Sequence, residues 1–142
     1  MSEAQADCEV LMKSVVGFAE RMLTTHGGFI PFGGAMRPDG QIVPVAGHDA
    51  SERPQSSDII ALMKKGLVAS AQKGEYKATA VVCDVRVDVP STGEKSDAIA
   101  VSLNHRDNYS IVVFFPYRID NGKLIPGAAF ARNGEADIFR PS

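Results

Sequence analysis

A strict two-residue alternation of side chains limits the folds open to this chain more than any other feature of its sequence. Between positions 81 and 89 the odd-numbered residues are all valine or cysteine, whereas Asp84, Arg86 and Asp88 occupy even-numbered positions. A β-strand directs successive side chains to opposite faces of its sheet, so the pattern indicates one buried and one solvated face. We predict a strand over residues 76–89.

Two more long strands are predicted after it. A turn separates the first strand from an alternating segment at 97–105, and another turn leads into residues 109–115. That last segment is apolar on both sides, as expected for a strand covered on both faces. The tripeptide at 120–122, Asp-Asn-Gly, is a strong hairpin signal and predicts a short return strand at 123–125.

The N-terminal segment has the periodicity of a helix. Apolar residues recur at steps of three and four between positions 8 and 23, which predicts an amphipathic helix over residues 3–25. Ser2 and Gln5 have the spacing of a capping box, and Gly27 supplies a stop signal.

A β-hairpin is predicted next, with arms at 29–36 and 41–46 on either side of a turn that contains proline and glycine. Pro31 and Pro44 each remove a backbone donor, so at least one arm should be an edge strand or bulged. Gly33-Gly34 does not open a helix as a phosphate-binding loop does, and predicts a bulge or a close backbone approach instead. This hairpin, with apolar and polar groups side by side, is the best candidate for an association surface.

A polar loop at 47–55 precedes a second amphipathic helix, which is predicted to be capped by Ser56 or Ser57 and to end at Gly74. Loops carried on a rigid scaffold are common places for binding residues, so we take His48, Asp49 and Arg53 as candidate binding residues. No pair of potential metal ligands in this loop shares a helical face, and no metal site is predicted.

These elements predict a single α+β domain over residues 1–142. The order is α-β-β-α-β-β-β plus a short C-terminal strand, in a single antiparallel sheet of about five strands with two main helices. We expect residues 111–115 to be central, with a helix against each face. Two helices do not obviously cover such an apolar sheet; either a homodimer or the folded-back C-terminal segment, with Phe130, Ile138 and Phe139, would complete the cover. We expect the last ten residues to be loosely held.

Two resemblances accompany this prediction. The order of elements resembles the profilin-like and roadblock-like architectures, in which the last long strand lies centrally beside the first. The phrases at 31–36 (PFGGAM) and 95–99 (KSDAI) resemble those of small uncharacterised bacterial proteins of about this length. The second resemblance implies a bacterial origin and no activity, substrate or catalytic residue.

Composition excludes several partner classes. The formal net charge is -2, and the nearest approach to a basic cluster is a set of lysines around one helix, so no nucleic-acid partner is predicted. No stretch approaches the roughly 20 apolar residues that cross a bilayer. Cys8 and Cys83 both lie in apolar patterns, as reduced thiols of a cytoplasmic protein do.

One catalytic pair can be considered. If the turn after the first long strand centres near residues 92–93, Cys83 lies opposite Leu103 and diagonal to His105. A core cysteine and a strand-end histidine are the simpler interpretation.

The leading functional prediction is a non-enzymatic protein-interaction or regulatory module of a bacterial cytosol, a homodimer with an unidentified protein partner and no cofactor. The alternatives are a small-molecule sensor domain and, less favoured, a small hydrolase that uses Cys83 and His105.

Overall fold

A computed structural model describes residues 2–46 and 56–139 of the chain. The elements in chain order are α1 (Glu3–His26), β1 (Phe32–Met36), β2 (Ile42–Ala46), α2 (Ser56–Gln72), β3 (Ala78–Asp88), β4 (Lys95–His105), β5 (Tyr109–Asp120), β6 (Lys123–Pro126) and β7 (Phe130–Asn133). The predicted α+β class, with two helices and a single antiparallel sheet, is confirmed. β7 is an addition to the predicted strands.

The strand order is β2-β1-β3-β4-β5-β6, and β7 pairs with β5 further along the same edge as β6. The expectation that the last long strand lies beside the first is wrong, because β3 and not β5 pairs with β1. The β1 residues at this junction are small: Gly33, Gly34 and Ala35 lie opposite Val81, Ala80 and Thr79. Small side chains there allow a helix to pack closely on each face.

Both helices end where local signals in the sequence place their ends. The Ser2 side chain accepts a hydrogen bond from the Gln5 backbone amide, and the Gln5 side chain accepts one from the Ser2 amide, so the predicted capping box is present. Gly27 ends α1 with a φ of 76°. Gly74 has a φ of 73° beyond α2, where glycine adopts the left-handed conformation without steric cost.

The two faces of the sheet pack against different helices and are covered to different extents. Its first face, which carries Ala80 and Val82 of β3, packs against Leu11, Val15 and Ala19 of α1. Its second face, which carries Val81, packs against α2 over β1 and β3. The side chains of residues 111–115 are all half-buried, so the expectation that a helix covers each face of β5 is wrong.

Gly33 and Gly34 are where the two helices approach the sheet. A Cβ atom on Gly34 would lie 2.9 Å from a Val15 methyl of α1, and one on Gly33 would lie 2.8 Å from the Met63 sulfur of α2. The pairing of β1 with β3 is unbroken, so the close approach predicted for this pair is present and the bulge is not. β2 is the edge strand with Pro44 at its centre, as predicted.

The C-terminal segment is well held as far as residue 139, which contradicts the expectation of a loose end. The Ala136 amide donates to the Ser110 hydroxyl at 3.0 Å, and Asp137 pairs with Lys64 of α2 at 2.8 Å. Ile138 is 1% exposed and packs in the α2 core. This segment therefore supplies part of the cover for the second face.

Candidate functional site

The loop residues chosen from the sequence, His48, Asp49 and Arg53, lie outside the described residues. Their role stays a prediction.

Cys83 and His105 lie on opposite faces of the sheet and do not form a catalytic pair. Cys83 pairs with Ala100 rather than with Leu103, and His105 pairs with Ala78. In the β3–β4 hairpin Asp88 pairs with Lys95, so the register differs from the predicted one by an odd number of residues. An odd shift moves a side chain to the opposite face of the sheet relative to its predicted partner. Burial also raises the pKa of the Cys83 thiol to about 11, and that of Cys8 to about 12. Neither thiol is an activated nucleophile.

His105 instead joins a buried polar cluster at the start of α1. Its Nδ1 accepts a hydrogen bond from the Asp107 backbone amide at 3.1 Å, which leaves the ring proton on Nε2. The Nε2–H then donates to Asp7 Oδ2 at 2.9 Å, and Lys77 Nζ lies 3.2 Å from the same oxygen.

The charges of this cluster hold Asp7 ionised. Burial alone would raise the pKa of Asp7, but the hydrogen bond from His105 and the ammonium of Lys77 outweigh it and keep this pKa below its ordinary value. Both ring nitrogens of His105 are engaged and its side chain is 1% exposed. The cluster therefore fixes α1 to the ends of β3 and β4, and has no open position for a substrate.

A second polar contact lies at the other end of the first face. The Tyr117 hydroxyl donates to Asp84 Oδ1 at 2.6 Å. Burial raises the pKa of both groups, and nearby Asp97 raises both further by repulsion. Arg86 pairs with Asp97 at 3.3 Å, but both of these side chains are more than half exposed. The Arg86–Asp97 pair is therefore a solvated charge pair on the sheet surface rather than part of an enclosed site.

A largely apolar groove lies between α1 and the β1–β2 hairpin and is called here the α1–hairpin groove. Its volume is about 400 Å³. It is lined by Ser14, Val15, Phe18, Arg21, Phe32, Gly33, Gly34, Ile42, Val43, Pro44 and Val45. Gly34 lies in its floor on the α1 face and is buried, because α1 packs closely over a position that has no side chain.

Aromatic side chains border this groove. Phe18 of α1 meets Phe32 of β1 edge to face, with ring centroids 5.0 Å apart, and Phe29 meets Phe32 at 5.5 Å. Phe18 nevertheless remains 43% exposed, and Ile30 is 57% exposed. The sequence pattern predicted Phe18 on the apolar face of α1. Its place at the edge of that face is the one local signal of its exposure.

The groove carries a single charged residue. The Arg21 guanidinium lies 5.8 Å from the centre of the Phe18 ring, and no carboxylate is among the lining residues. In the described part of the chain, Arg21 forms no ion pair.

Over residues 2–46 and 56–139, no three acidic, cysteine or histidine side chains are grouped to hold a metal ion. Neither described helix has both the length and the apolar character needed to cross a membrane. Comparisons with protein-family models, with curated proteins and with solved structures find no match to this chain.

Proposed function

We propose that this chain is a non-enzymatic interaction module that binds another protein through the α1–hairpin groove. The observation on which the proposal rests is the exposure of Phe18 in an apolar groove that also presents Arg21. Aromatic residues and arginine are enriched at protein interfaces, and exposed apolar patches commonly mark interaction surfaces.

The placement of the reactive side chains supports a non-enzymatic role. Cys83 and His105 are separated by the sheet, His105 is fully engaged, and the pKa values of both thiols are raised. The groove itself is lined by one hydroxyl, one guanidinium and apolar groups, which provide neither a nucleophile with a base nor an acid–base pair.

A homodimer is a separate proposal that concerns the second face. Phe114 of β5 and Phe130 of β7 stack there with ring centroids 4.9 Å apart, and Arg132 lies over both rings. The C-terminal segment and α2 leave these rings half-buried, so a second copy would complete their cover. Native mass spectrometry of the purified protein tests this: a dimer supports the proposal, and a monomer at micromolar concentration contradicts it.

A small-molecule sensor is the alternative function, and the groove volume favours it. About 400 Å³ falls in the range of small-molecule sites, roughly 300–1,000 Å³. The same native spectrum distinguishes this alternative, because a bound small molecule would add a defined mass to the protein.

Site-specific photo-crosslinking in the host that produces the protein tests the leading proposal. A photoreactive phenylalanine analogue replaces Phe18 in one variant and Ile119 in a control variant. The control is matched because Ile119 is 39% exposed and lies on β5, away from the groove. We expect an adduct of defined mass from position 18 and not from position 119. No adduct at position 18, or equal adducts at both positions, would refute the groove as the contact surface.

A further inference from the structure

We propose that the partner of the α1–hairpin groove presents an apolar segment with a carboxylate that pairs with Arg21. This inference rests on the proposed function, since it names the chemistry of the partner for the same groove. It follows from the shape of the groove, the charge along it, and the nature of the strand at its edge.

The shape of the groove favours side chains as the recognised groups. The floor at Gly34 lies close beneath Val15 of α1. The rings of Phe18 and Phe32 line the groove beside it, together with Ile42 and Pro44 on the same face of β2. About 400 Å³ accommodates the apolar side chains of a short segment. Burial of apolar surface favours the binding of such a segment.

The edge strand limits recognition through the backbone. A partner strand could extend the sheet beyond β2, as peptides do in β-strand addition. Pro44 lies at the middle of β2, between Val43 and Val45, and has no backbone N–H to donate. A continuous ladder along β2 is therefore interrupted, and specificity must come from the side chains that enter the groove.

The charge of the groove selects a carboxylate. Arg21 is the one charged residue among the lining residues, and its guanidinium is held near the Phe18 ring. A guanidinium forms paired hydrogen bonds with a carboxylate. These bonds are stronger when an aromatic ring excludes water from one side of the guanidinium.

The same charge argues against a second copy as the occupant. Two grooves placed face to face would contribute two guanidinium groups and no lining carboxylate, so the contact would be repulsive. A partner of different sequence that brings the acidic group is the complementary occupant.

Selection from a random peptide display library tests the inference while the natural partner is still unidentified. The library is panned against the wild-type protein and against three variants: Phe18→Ser, Arg21→Glu and the control Lys13→Glu. Lys13 is an exposed residue of α1 that does not line the groove, so Lys13→Glu makes the same charge reversal elsewhere on the helix. Circular dichroism and thermal unfolding confirm that each variant is folded.

We expect the selected peptides to combine apolar residues with at least one Asp or Glu, and to lose binding to Phe18→Ser. Arg21→Glu should lower the affinity for these peptides at least tenfold, whereas Lys13→Glu should change it less than threefold. Replacing the acidic residue of a selected peptide by Lys should restore its binding to Arg21→Glu.

Two other results would overturn the inference, and they are distinguishable. If peptides depend on Phe18 but show no acidic preference and no response to Arg21→Glu, the charge argument is wrong and the groove remains the interaction surface. If no selected peptide depends on Phe18, both this inference and the proposed function are wrong.

Discussion

Asp7→Asn is the substitution for which the structure gives the clearest energetic consequence. It removes the charge that faces Lys77, whose ammonium is 3.2 Å away and whose side chain is 10% exposed. Removing one partner of a buried ion pair costs about 3–5 kcal/mol, because the other charge stays buried without compensation. The partial exposure of Asp7 (16%) places the expected loss at the lower end, about 3 kcal/mol.

The assay is urea unfolding monitored by circular dichroism. For a small domain the free energy of unfolding falls by about 1–3 kcal/mol per molar urea, so a loss of about 3 kcal/mol lowers the midpoint by roughly 1–3 M. Glu20→Gln is the control, since Glu20 is an exposed carboxylate of the same helix. Glu20→Gln should change the free energy of unfolding by less than about 0.5 kcal/mol.

The pH dependence of the same measurement gives a second check. The pKa of Asp7 is lowered in the folded protein from its ordinary 3.8, so its contribution is fully present above that pH. The contribution is lost as the pH falls through the lower, folded-state pKa. The difference between wild type and Asp7→Asn should therefore be constant near neutral pH and shrink below about pH 4. Equal stabilities of wild type and Asp7→Asn at pH 7 would contradict the stabilising role of the cluster of Asp7, Lys77 and His105. A stability difference that does not shrink in acid would contradict it as well.

Three further predictions concern packing and reactivity. Gly34→Ala should lower the free energy of unfolding by about 1–3 kcal/mol in a chemical denaturation series, because the added methyl would lie 2.9 Å from Val15; an unchanged midpoint would contradict the close approach. Ile138→Ala should cost about 2–5 kcal/mol and increase amide exchange in the C-terminal segment, since Ile138 is fully buried; a loss below about 1 kcal/mol would indicate a weakly held segment. Burial raises the thiol pKa of Cys8 to about 12 and of Cys83 to about 11, so alkylation at pH 8 should be slow until urea unfolds the protein. Rapid labelling of the folded protein would contradict this.

Features encoded by short-range signals were predictable from the sequence. The start of α1 depends on Ser2 and Gln5, and its end depends on Gly27, all within one helical turn of the boundary. The long strands were predictable for the same reason, because a two-residue alternation is a local property of the chain. The actual bounds of α1 differ from the predicted ones by one residue.

Features that depend on pairing between distant segments were not predictable. The alternation could not fix the hairpin register, and an odd error in that register moved Cys83 to the face opposite His105. β1 pairs with β3 rather than with β5, and in that arrangement a helix approaches Gly33 on one face and Gly34 on the other. Nothing in the local pattern carries that information.

The α1–hairpin groove is a tertiary feature for the same reason. The sequence indicated an association surface on the hairpin, but Phe18 and Arg21 belong to a helix whose position over β1 could not be derived from it. The contact between the Phe18 and Phe32 rings joins residues of two elements that meet only in the folded domain.

Whether the α1–hairpin groove is the contact surface is decided by the binding affinity of the partner captured from position 18. It is measured by titration calorimetry against wild type, Phe18→Ser and Ile119→Ser. We expect Phe18→Ser to weaken binding at least tenfold, since truncation of a central aromatic residue costs about 2 kcal/mol or more, and Ile119→Ser to change it less than twofold. Equal affinities for the two variants would contradict the claim that the groove is the interaction surface.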